Sequence, residues 1–101
     1  MSVNKTLNLN LVKIQQNVLV ILPLEFNSHD FILKFAHNFQ LEYIELLNEY
    51  KNSNNPFHEC HKQIGKWLSI NKLLLNIKSK GRVSSVNIFG ETNSVEEWEK
   101  I

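Results

Sequence analysis

A chain of 101 residues with 11 Lys/Arg, 10 Asp/Glu and 43% hydrophobic side chains can bury one core and is too short for two domains. Three glycines, two prolines and one cysteine exclude collagen-like, low-complexity and disulfide-stapled classes. The longest apolar run, residues 18–22, falls far short of the roughly 20 residues that cross a bilayer. The expectation is a single domain over residues 1–101 with no secretory leader, no membrane contact and a reducing, cytoplasmic setting.

Residues 1–23 form an apolar N-terminal segment that carries two patterns. Leu7, Leu9 and Leu11 alternate with Asn8 and Asn10, and Val18–Leu22 is rich in β-branched residues, which favours strands about a turn at Gln15-Gln16-Asn17. Leu7, Leu11, Ile14, Val18 and Leu22 also stand at helical spacings of three and four. Extended structure, a strand or a hairpin, is the expectation here, and Pro23 ends the segment in either case.

Phe31, Phe35 and Phe39, with Ile32 and Ala36 beside them, predict an amphipathic helix over 29–38, with Ser28 as its cap and Asp30 in its first turn. A second helix follows over 40–51, with Tyr43, Ile44, Leu47 and Tyr50 inward and Glu42, Glu45 and Glu49 outward. After the polar breaker at residues 52–55, Asn55-Pro56 opens a third helix. Phe57, Cys60, Ile64 and Leu68 make its buried stripe; His58, Lys62, Gly65, Lys66 and Ser69 fall on the other side. Two apolar runs, 73–78 and 82–89, flank Ser79-Lys80-Gly81 and predict a β-hairpin turning at Gly81. Ser94-Val95-Glu96-Glu97 has the form of a capping box and predicts a short C-terminal helix in residues 91–101 carrying Trp98.

The charge is unevenly spread. No acid falls between Cys60 and Gly90, whereas Lys62, Lys66, Lys72, Lys78, Lys80 and Arg82 all do. A neutral average with one strongly basic third suits a nucleic-acid surface on a small domain. The alternative is a solvated face whose cations meet glutamates once the chain folds.

The helical stripes of 29–51, the 56–70 helix with Ile64-Gly65-Lys66-Trp67-Leu68, and the hairpin around Ser79-Lys80-Gly81 resemble the winged helix-turn-helix architecture. That fold class is α+β, a three-helix core followed by a β-hairpin wing, here over residues 24–90 with an extended segment in front. The resemblance implies a third helix in the DNA major groove and a wing on backbone or minor groove. The six-residue, Asn-rich connection between helices two and three departs from the tight turn of that architecture. Lys62, Lys66, Lys72, Lys78, Lys80 and Arg82 would then lie against phosphates, and five or six neutralised phosphates give a salt slope near −5. Asn71, Gln63 and Arg82 are the side chains nearby with a two-pronged pattern suited to base edges.

His58-Glu59-Cys60-His61 holds four groups able to ligate zinc, but two histidines do not complete a tetrahedral site and no second pair stands at finger spacing. Cys60 and His61 are helix neighbours about 100° apart and share a proton poorly. No phosphate loop, dinucleotide fingerprint, nucleophile elbow or HExxH occurs. The expectation is a non-enzyme without cofactor or metal that binds double-stranded DNA. The other reading is a protein-interaction or oligomerisation module without nucleic acid. A homodimer through residues 7–22 suits either.

Overall fold

Residues 2–9 and 11–19 are helical where extended structure was expected. The computed structural model describes residues 2–101; helix α1 spans Ser2–Leu9 and α2 spans Leu11–Ile14, followed by a π turn over Gln15–Leu19. Val3, Leu7, Ile14, Val18 and Leu22 are buried, whereas Leu9, which strand alternation places beside Leu7 and Leu11, is 76% exposed. The stripe at helical spacing therefore meets the core. The break between α1 and α2 falls at Asn10, whose Nδ2 donates to the Thr6 carbonyl at 2.8 Å. The π turn, closed by Val20 N–H donating to the Gln15 carbonyl, lets the adjacent Val18 and Leu19 both reach the interior. The apolar stripe of residues 7–22 is thus occupied inside its own chain.

A three-residue strand, β1 (Glu25–Asn27), leads into α3 (Ser28–Asn38). Asn27, one residue before the expected cap, holds the helix end: its Oδ1 accepts from Asp30 N–H at 3.0 Å, and the Asp30 carboxylate accepts from Asn27 N–H at 2.9 Å. That frees Ser28, which is buried and accepts from Trp98 Nε1–H at 3.1 Å. Phe31, Ile32 and Phe35 are buried as their spacing requires. Helix α4 (Gln40–Glu49) follows after Phe39. It buries Leu46, while Ile44, expected to face inward, is 60% exposed. Asn55 caps α5 (Pro56–Ile70), accepting from His58 N–H at 3.2 Å, and α5 buries Cys60, Ile64, Trp67 and Leu68.

The C-terminal part differs most from its expectation. Strand β2 runs Ile77–Val86 and β3 runs Thr92–Lys100, so residues 91–101 form a strand and not a helix. With β1 they make an antiparallel sheet in the order β1-β3-β2. Gly81, expected at the hairpin turn, lies inside β2 at a bulge, where Ser79 and Gly81 oppose Trp98 and Glu97 and Lys80 is the extra residue. Its φ of 102° is the left-handed backbone such a bulge uses. The turn itself is Asn87–Glu91, where the Asn87 side chain accepts from Phe89 and Glu91 N–H and Gly90 takes φ 81°. Central β3 is laddered on both sides, with Trp98 opposite Phe26 on β1 and Ser79 on β2. The β2 ladder along the strand, joined by β1 over residues 97–99, satisfies its backbone more fully than a capping box would. Among the described residues the class is α+β, five helices and a three-stranded antiparallel sheet.

Candidate functional site

The distal half of the hairpin bends back over the helices. Ser85 Oγ meets His29 Nδ1 at 3.0 Å and Asn27 Nδ2 at 3.3 Å, and Phe89 packs edge-on against Phe57 at 4.9 Å between ring centroids. A bulge bends and twists its strand, and this one lies between the buried base of β2 and its curled end. The result is an open cleft of about 410 Å³ bounded by the start of α3, the outward side of α5 and the hairpin.

Three of the eight anticipated binding residues meet in this cleft: Lys62 and Lys66 from α5 and Arg82 from β2. Lys62 and Lys66 are four apart and therefore on one helix face, with Gly65 between them and Ser69 one turn on. Glu96 is the cleft's only carboxylate. It receives Arg82 at 3.5 Å and the Ser79 hydroxyl, and Arg82 is further held by Nη2 donating to the Ser94 carbonyl at 2.7 Å. Arg82 is thus fixed in position as one wall. Lys62 pairs with Glu59 one turn away at 3.3 Å, with both side chains partly exposed; such a pair is worth about 0–1 kcal/mol and opens readily. Lys66 has no ion pair among the described residues.

The other anticipated residues lie elsewhere. Lys78 pairs with Glu99 at 3.3 Å, and Lys80 bridges Glu25 at 3.5 Å and Glu99 at 3.7 Å. These cations meet glutamates from strands β1 and β3, which the sequence alone did not place beside them. Lys72 is exposed in the turn after α5 and outside the cleft. Asn71, proposed from its chemistry as a base reader, is the C-cap of α5, its Nδ2 donating to the Trp67 carbonyl at 2.9 Å. Gln63 Nε2 is turned to Glu59 at 3.5 Å.

Two histidines of the cleft, His61 and His29, add donors and acceptors more than charge. His61 lines the cleft and shares a 2.6 Å hydrogen bond with Tyr43 Oη. Burial, with His29 and His58 nearby, pushes its imidazole down to about 4, and burial holds the Tyr43 phenol up at about 12. His61 is therefore neutral at physiological pH. Burial also lowers His29, against the pull of Asp30. Cys60 is fully buried, and burial raises its thiol to about 11, so little of the nucleophilic thiolate exists near pH 7. Among the described residues no group of three or more His, Cys, Asp and Glu side chains is gathered as for a metal ion.

Gly65 stands out on the α5 wall. A glycine inside a helix costs about 1 kcal/mol relative to alanine, and a Cβ built on Gly65 would meet nothing within 4 Å. Packing thus gives no reason for it. Its effect is to bare a stretch of helix backbone between two lysines at the cleft surface. Sequence reasoning placed Gly65 and Ser69 on the correct face of α5; it missed His29, Ser94 and Glu96, whose arrival depends on the hairpin's curl. Comparisons with family models, curated proteins and solved structures find no match to this chain.

Proposed function

We propose that the chain binds double-stranded DNA along the face shared by α5 and the hairpin, mainly through phosphate contacts. The observation that carries this reading is the convergence of Lys62, Lys66 and Arg82 on one open cleft beside the bare backbone at Gly65, with its single carboxylate already committed to Arg82. The element order adds support: two helices and a π turn, a short strand, three helices, then a hairpin whose second strand is central. That order suits a winged-helix arrangement in which α5 and the hairpin address the same duplex.

In this mechanism α5 approaches the sugar-phosphate backbone, Gly65 lets one strand come close, and the lysines flanking it release condensed counterions. Lys62 exchanges its weak partner Glu59 for a phosphate. Arg82, held by Ser94 and Glu96, offers its remaining N–H groups from the opposite wall. Lysine contacts of this kind give affinity and register and read little sequence. With Lys78 and Lys80 outside the cleft and facing glutamates of the sheet, about three phosphates are engaged, so the salt slope falls to about −3.

Titration of a fluorescent mixed-sequence duplex tests the reading. Lys62→Glu with Lys66→Glu weakens binding at least tenfold while the circular dichroism spectrum is retained. Unchanged affinity in that folded variant removes the DNA reading and leaves an interaction module.

A further inference from the structure

A second concave surface shares no residue with the basic cleft. It lies between α1 and α4, holds about 620 Å³ and includes Lys5, Leu9, Ile44, Glu45 and Glu49. Leu9 is 76% exposed and Ile44 60% exposed. Leu41, 75% exposed, stands three residues before Ile44 and so extends the same side of α4. Large aliphatic side chains exposed together in a groove with a polar rim mark an interaction surface more often than an idle one.

The rim charges identify the occupant. Lys5 stands on the α1 wall and Glu45 and Glu49 on the α4 wall, yet no ion pair joins them within the chain among the described residues. A partner carrying one sign of charge would be repelled by one wall or the other. A two-fold axis resolves this, because it sets α1 of one copy against α4 of the other and meets each charge with its opposite twice. We propose that this groove is an isologous homodimer interface, with Leu9, Leu41 and Ile44 at its centre and Lys5 of each copy facing Glu45 and Glu49 of its partner. The inference is independent of the DNA reading; it leaves both basic clefts outside the interface, so a dimer would present two.

Sedimentation equilibrium of the full chain at concentrations up to about 100 µM, a range that populates even modest interfaces, tests it. The expected result is a dimer whose dissociation constant rises at least tenfold in Leu9→Gln with Ile44→Gln, exposed positions where the fold is retained by circular dichroism. Lys5→Glu alone weakens the dimer, and adding Glu45→Lys and Glu49→Lys to it restores association. A monomeric wild-type chain, a dimer indifferent to the Leu9 and Ile44 changes, or failure of the triple reversal to restore pairing each overturns the proposal.

Discussion

Gly65→Ala separates the needs of the fold from those of the cleft. The residue sits in the interior of the fifteen-residue helix α5, where alanine is favoured by about 0.8–1.0 kcal/mol. Its new methyl meets no heavy atom within 4 Å, so no overpacking offsets that gain. For a chain of this size about 1 kcal/mol raises the melting temperature by about 4–8 °C. The same methyl stands between Lys62 and Lys66, where the proposed strand approaches. Overpacking a close contact costs about 1 kcal/mol or more, which corresponds to roughly fivefold in duplex affinity. Thermal melts and anisotropy titrations on one preparation read both effects. A variant that is less stable would show the helix to be misunderstood. A more stable variant with undiminished affinity would show that the strand does not approach Gly65.

Three further outcomes follow from buried groups. Because the His61 imidazole titrates at about 4 in the fold and at 6.5 when unfolded, the unfolded chain takes up the proton first. Stability is therefore full above pH 6.5 and is lost as pH falls toward 4, by roughly 2 kcal/mol once partial exposure is allowed for; urea melts across this window should flatten in His61→Gln. Ser28→Ala leaves the Trp98 N–H without its acceptor and should cost about 1–3 kcal/mol in the same assay. Cys60, buried with its thiol raised to about 11, should react with a thiol reagent at pH 8 only at the rate of unfolding; immediate labelling of the native chain would contradict its placement.

The helices were legible wherever local signals agreed with burial. Asn55-Pro56 opens α5, and the Phe31, Phe35 stripe defines α3, because cap, propensity and periodicity all point one way there. Residues 7–22 carry two compatible periodicities, and what decides between them is the core formed by α3, α4 and α5, which a local reading does not contain. Strand β3 illustrates the same competition. Ser94-Val95-Glu96-Glu97 offers a local capping box, yet the whole segment is laddered to β2, and from Glu97 to Glu99 the strand is laddered to β1 as well. Both Gly81 and Gly90 take positive φ, a requirement shared by turn and bulge, so composition alone did not tell one from the other. For the site, the face of α5 was readable from spacing. The pairing of Lys78 and Lys80 with Glu99 and Glu25 was not, since those acids lie 21 and 55 residues away in sequence.

Duplex affinity measured across salt concentration tests the central claim, that Lys62, Lys66 and Arg82 act while Lys78 and Lys80 are paired with glutamates and Lys72 stands outside the cleft. The expected slope of log affinity against log salt is about −3, shallower by about one in Lys66→Gln and unchanged in Lys78→Gln. A slope near zero, or one that responds to Lys78 and ignores Lys66, contradicts the assignment of the cleft.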